Sequence, residues 1–162
     1  YDEVLENKTY DCYHGAECVS PESDILSGNG KTIKAKNIKE NDLIVYYNFD
    51  TKKNEIGRVG NVYIHKDATN LIRYEFEDNT YLEATDYHPV YTKEGWKSYT
   101  NRNGYPKPVI GDLVKTNKGY KRITKITPYS GKEDYYDFQV ISRDGKVINN
   151  YYANGTLVQG SY

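Results

Sequence analysis

The chain has 162 residues, with 22 Lys and Arg against 23 Asp and Glu and a formal net charge of -1. That balance makes no field for nucleic acid or an anionic membrane, and no apolar run approaches the ~20 residues of a helical span. Cys12 and Cys18, the only two cysteines, are too few for a disulfide framework or a cysteine zinc site, so no metal and no cofactor is expected.

Residues 1–17 are acidic and show no sustained period, so they read as a flanking segment. The chain opens at Tyr1 without Met or a signal peptide, which suggests a piece of a longer reading frame. Its compartment is undetermined by the sequence, with the cytoplasm expected as that of the host protein.

From Cys18 onward the pattern changes to short strands divided by turns. Runs rich in β-branched and aromatic residues predict strands at Leu43 to Phe49, Arg58 to Ile64, Leu71 to Phe76, Tyr81 to Ala84 and Pro89 to Thr92. Further strands are predicted at Leu113 to Thr116, Lys121 to Thr127, Tyr135 to Ile141, Val147 to Tyr152 and Thr156 to Val158. Gly28-Asn29-Gly30, Asp78-Asn79, Glu94-Gly95, Asn103-Gly104, Asn117 to Gly119, Ser130-Gly131 and Asp144-Gly145 supply the turns. No apolar 3.6-residue period lasts three turns, and Asn37 to Asn41 makes a single helical turn at best. The fold class is all-β. A loose internal repeat pairs Asp42-Leu43-Ile44-Val45 with Asp112-Leu113-Val114, and Arg58 to Val62 with Arg122 to Ile126. One β-unit used twice buries a common core and brings equivalent loops together.

Cys18 stands where the featureless segment meets the β-pattern. A buried inert thiol is the ordinary reading of such a residue. At a junction, however, its sulfur reaches the carbonyl of Glu17 through a five-membered ring and can convert the amide to a thioester. That conversion needs an oriented peptide, a thiolate and a proton for the leaving amine. Thr85-Asp86-Tyr87-His88-Pro89 offers a hydroxyl for the scissile amide and an imidazole whose usual pKa suits proton transfer near neutrality. A histidine satisfied in the core is the plainer alternative for His88.

Taken in order, these segments resemble the conserved blocks of inteins and bacterial intein-like domains. Cys18-Val-Ser-Pro-Glu-Ser-Asp-Ile-Leu-Ser27, with Ile38 to Tyr46, resembles the opening block, with Asn41 where a Gly is usual. Thr85 to Trp96 resembles the Thr-x-x-His block, and Ile110-Gly-Asp-Leu-Val114 a second Gly-Asp strand. Tyr136 to Val140 and Tyr151 to Val158 resemble the two closing blocks. The resemblance implies the Hint fold, a horseshoe-like β-structure with pseudo-two-fold symmetry, spanning 18–160 between flanking residues 1–17 and 161–162. It implies Cys18 as the nucleophile of an N-to-S acyl shift, Thr85 and His88 as activators of the Glu17–Cys18 bond, Asp137 as the assisting carboxylate and Ser161 as the downstream acyl acceptor. A strand carboxylate exposed to solvent is the plainer reading of Asp137. The domain is expected to act on its own flanking polypeptide as a monomer, in a single turnover. Fewer than fifty residues separate the Thr-x-x-His block from the closing blocks, which leaves no room for a homing endonuclease, as in a mini-intein.

The ending departs from the family. Gln159-Gly160 replaces the closing His-Asn, and Asn149 stands where a second histidine is frequent. Gly160 has no side-chain amide to cyclise on its own carbonyl, and Gln159 cannot shuttle a proton. Either a splicing-disabled ending or a natural domain that cleaves at its N-terminal junction fits. A third reading has Gln159 itself cyclise through a six-membered ring. A Hedgehog-like Hint module passing the acyl group to an external nucleophile, or an inert all-β binding module, are the competing functions. Cys12 is expected to be an unpaired flanking cysteine, and His14 and His65 surface residues.

Overall fold

The structure, a computed structural model, describes residues 9–11, 17–101 and 104–161. Cys12, His14 and Asn103 lie outside them. Strands are numbered in chain order.

One sheet is built on β5 (Lys53–His65), the longest strand. β4 (Leu43–Asn48) pairs antiparallel with its first half, and β1 (Thr9–Asp11) pairs parallel with its end, Thr9 opposite Val62. The other edge of β5 carries β12 (Tyr135–Ile141), followed by β13 (Val147–Ile148). The second sheet runs β3 (Thr32–Lys34), β2 (Asp24–Leu26), β14 (Asn150–Ala153), β15 (Thr156–Gln159), β8 (Val90–Thr92), β10 (Leu113–Lys115), β11 (Tyr120–Tyr129), β6 (Leu71–Phe76) and β7 (Tyr81–Thr85). β9 (Gly95–Lys97) pairs with β8. The only helical element among the described residues is a 3-10 turn, Ala35–Asn37, slightly ahead of the turn expected at Asn37 to Asn41.

The repeat seen in the sequence is repeated in the hydrogen bonding. Leu43 pairs with Arg58 as Leu113 pairs with Arg122. The Val59 and Ile123 amides donate to the Asp42 and Asp112 carbonyls at 2.8 and 2.9 Å, and the Asn41 and Gly111 amides donate back to the Val59 and Ile123 carbonyls. Each aspartate also caps its own turn, Asp42 accepting from the Lys39 amide and Asp112 from the Val109 amide. Gly111 takes φ 100° at the turn, and Asn41 takes φ 73° at the matching place. Asn tolerates the left-handed region better than other non-glycine residues, so it serves at the first turn as Gly111 serves at the second. The halves then exchange partners: β5 of the first unit pairs with β12, and β11 of the second pairs with β6. Both of these pairings carry a register shift, at Phe138/Val140 and at Ile123/Lys125.

That exchange lets one core serve both halves. Ile44, Tyr46 and Val59 from one sheet join Ile72, Tyr74, Phe76, Val114, Ile123, Tyr151 and Val158 from the other in one buried cluster. Each large side chain fully buried there contributes roughly 1.5–3 kcal/mol. Tyrosine supplies much of the buried area: Tyr74, Tyr135, Tyr151 and Tyr152 are among the largest fully buried side chains.

Several strands depart from the sequence reading. β5 begins five residues before Arg58, through the polar run Lys53 to Gly57, because β4 supplies a partner ladder along its whole length. Val147 to Tyr152 is two strands, β13 and β14, serving different sheets. Part of the upstream segment, read as featureless, is strand β1, which takes the free edge of β5 where β4 has ended.

Candidate functional site

Residues 18–20 thread between the two sheets. The Val19 amide and carbonyl exchange hydrogen bonds with Tyr136 on β12, at 2.7 and 2.8 Å, while the Ser20 amide donates to Glu83 on β7. Val19 thereby bridges Ala84 and Tyr136. This clamp fixes the peptide immediately before it, Glu17–Cys18.

Thr85, the last residue of β7, holds the Cys18 backbone on both sides: at the Glu17–Cys18 peptide through its hydroxyl and at the Cys18–Val19 peptide through its amide. Its Oγ1 accepts the Cys18 amide hydrogen at 3.0 Å, and its own amide donates to the Cys18 carbonyl at 2.8 Å. A tight turn closed by the His88 amide on the Thr85 carbonyl then brings the imidazole inward. His88 is wholly buried, with Nε2 2.7 Å from the Gln159 carbonyl oxygen. A carbonyl only accepts, so Nε2 carries the hydrogen and Nδ1 is the bare nitrogen. Nδ1 is buried and makes no hydrogen bond.

Burial pushes the His88 pKa down to about 4, with the backbone of Gln159 and of Cys18 pulling part of it back. This corrects the expectation of an ordinary imidazole. At neutral pH the resting ring is neutral, because charging it means burying an ion with no carboxylate beside it. A ring that rests neutral must accept a proton at Nδ1 before it can give one, and burial opposes that acceptance.

The chain's other end arrives at the same place. The Gln159 amide donates to the Pro89 carbonyl, the Gly160 amide to the Asn149 carbonyl at 2.7 Å, and the Ser161 amide to the Phe138 carbonyl at 3.2 Å. Ser161 also bridges Gln139 in parallel. Its Oγ donates to Oδ2 of Asp137, while Oδ1 accepts the Tyr151 hydroxyl at 2.7 Å. Asp137 is 1 % exposed, which overturns the reading of an exposed strand carboxylate. Burial first, then the Glu17 carboxyl, drive its pKa well above the usual range, against the hydrogen bonds from Ser161, Tyr151 and the Phe138 amide. Glu17 is itself pushed up to about 7 by burial.

Cys18 is wholly buried, in a cluster with Ala68, Leu71 and Tyr135, and it is disulfide-bonded. The sequence holds one other cysteine, Cys12, which lies outside the described residues. The expectation of an unpaired Cys12 falls on a residue outside the described ones. His65 is only partly exposed, with its Nδ1 buried, rather than a plain surface residue.

Thr85, His88, Asp137 and Ser161 are thus brought around Glu17–Cys18 and the Gln159–Gly160–Ser161 segment. Gln159 and Asn149 take part through their carbonyls, and the Gln159 side chain donates to Tyr105 at 3.1 Å. Tyr151 and Tyr105 were not singled out by the sequence, where they look like ordinary strand and loop tyrosines.

No family model and no curated relative matches the sequence. Solved structures do. A DnaB intein from Synechocystis sp. PCC 6803 superposes with TM-score 0.71 at 21 % identity, over 90 % of this chain and 99 % of that one. A bacterial intein-like domain from Clostridium thermocellum gives 0.71 at 21 %, over 88 % and 96 %. The gp41-1 intein gives 0.67 at 19 %, over 88 % and 98 %. The chain therefore shares the Hint fold of the inteins, the all-β architecture its sequence led us to expect.

Proposed function

We propose that this chain is a self-processing domain of mini-intein type, spanning 18–160, that rearranges the peptide bond between Glu17 and Cys18. Once reduced, the Cys18 sulfur attacks the Glu17 carbonyl carbon. The carbon–nitrogen bond breaks, a thioester forms, and the Cys18 nitrogen leaves as an amine. Neutral His88 takes the thiol proton and returns it toward that nitrogen, while the Thr85 hydroxyl orients the amide throughout. Ser161, on Asp137, is the acyl acceptor of the second step.

The observation that carries this reading is the meeting of the two chain ends. Thr85 holds the Cys18 amide, and His88 and Asp137 reach the Gln159 carbonyl and the Ser161 hydroxyl. Two large surface clefts, of about 780 and 840 Å³, include none of Cys18, Thr85, His88, Asp137 or Ser161. An acceptor hydroxyl placed on a buried carboxylate favours internal transfer over passage to an external nucleophile. No helix among the described residues is long and apolar enough to cross a membrane.

With Gly160 in place of asparagine, the branched product lacks the cyclisation that would free the downstream segment, so N-terminal chemistry outlasts C-terminal cleavage. Incubation of the reduced protein with excess small thiol, followed by mass spectrometry, tests this. Release of a thioester ending at Glu17, abolished by Cys18→Ala, is expected; equal release from the Cys18→Ala variant would refute it.

A further inference from the structure

The scheme above leaves Tyr151 without a part, although it is fully buried and its hydroxyl is spent on one atom, Oδ1 of Asp137 at 2.7 Å. The other oxygen of that carboxylate faces Ser161. We propose that Tyr151 is a positioning residue for acyl transfer: it pins one oxygen of Asp137 so that the other stays on the Ser161 hydroxyl. This rests on Ser161 being the acyl acceptor.

The same ring also shapes the peptide that carries the acceptor. It packs edge-on against Phe138, with centroids 5.4 Å apart at 70°. A Cβ added to Gly160 would lie 3.2 Å from the Tyr151 ring carbons Cδ1 and Cε1 and 2.9 Å from the Phe138 carbonyl. Tyr151 therefore touches both the base and the residue before the nucleophile. A phenylalanine would pack as well, so packing alone does not account for the hydroxyl.

In the step this serves, Asp137 takes the Ser161 hydroxyl proton and the oxygen attacks the Glu17 thioester carbon. The carbon–sulfur bond breaks, an ester forms on Ser161, and the departing Cys18 thiolate is reprotonated from Asp137. Asp137 must be ionised to begin. Desolvation and the Glu17 carboxyl oppose ionisation; the Tyr151 and Ser161 hydroxyls and the Phe138 amide favour it, and Tyr63 lies opposite across the β5–β12 ladder. Removing the Tyr151 hydroxyl removes one of the favourable contacts.

The test compares wild type, Tyr151→Phe, Asp137→Asn and the double variant, reduced, across pH. Two rates are read: thiol-dependent release at Cys18, and formation of the alkali-labile branched ester on Ser161. In Tyr151→Phe, ester formation is expected to fall about tenfold more than thiol release, and its rising pH limb to move up by about one unit. In the Asp137→Asn background, Tyr151→Phe should cost nothing further. Equal losses in both steps, an unmoved pH limb, or additive losses in the double variant would overturn the positioning role. If Tyr151→Phe fails to fold, Asp137→Asn alone decides: ester formation unaffected by it overturns the proposal. Wild-type protein that releases no thioester would instead refute the function on which the proposal rests.

Discussion

Replacing Thr85 by Val removes one hydroxyl and little else. Thr85 is 3 % exposed, so no water stands ready to replace it, and its own amide still donates to the Cys18 carbonyl at 2.8 Å. What is lost is the acceptor for the Cys18 amide, 3.0 Å away, and a longer bond from the hydroxyl to the Cys18 carbonyl at 3.4 Å. A buried N–H left without a partner costs about 1–3 kcal/mol. Urea denaturation should report that loss of stability directly. The rate is a separate matter, because an interaction equally strong in the ground and transition states does not accelerate a reaction. The nitrogen passes from a planar amide to a basic amine as the thioester forms, so the hydroxyl should matter more there. A further loss of the same size slows thioester formation about 5- to 150-fold. Single-turnover thiol release, timed by mass spectrometry on reduced protein, measures it. A Thr85→Val protein that is less stable yet releases at the wild-type rate would reduce Thr85 to a structural support.

Three further outcomes follow from particular contacts. The folded-state pKa of His88 is lowered from 6.5 to about 4, so the unfolded chain binds the extra proton first. Stability linked to this group is complete above pH ~6.5 and is lost as pH falls toward ~4, by up to about 3 kcal/mol; His88→Gln should flatten that acid limb in chemical denaturation. Because Cys18 is disulfide-bonded, oxidised protein should give no thioester until a reductant such as a trialkylphosphine is added, and a lag-free reaction of oxidised protein would contradict this. Finally, a Cβ at Gly57 would lie 2.5 Å from the Ile141 carbonyl oxygen. Gly57→Ala must push β5 off β12, and a loss of about 1–3 kcal/mol in thermal unfolding is expected.

The sequence made the architecture legible because its turns and strands are each written locally. Asp42 and Asp112 cap their own turns, and the strands after them alternate, so the repeat could be read before its hydrogen bonds were seen. The short strands β2, β3 and β9 escaped notice: three residues give too little alternation to register, and their partners fix them. The site was legible as far as residue types at fixed spacing, Thr85 three residues before His88. What the sequence could not carry was environment. The depressed pKa of His88 arises from complete burial, the burial of Asp137 from both sheets closing over it, and the role of Tyr151 from a contact fourteen residues away in the chain. The bonded state of Cys18 was likewise invisible, since the spacing of two cysteines does not record their oxidation state.

The central claim is that the bond after Glu17 becomes an activated ester within the folded protein. Hydroxylamine added to reduced protein at neutral pH intercepts such esters and leaves amides alone. The account predicts a released fragment ending in a Glu17 hydroxamate, absent when Cys18 is replaced by Ala. A folded, reduced chain that stays intact under the same treatment would contradict it.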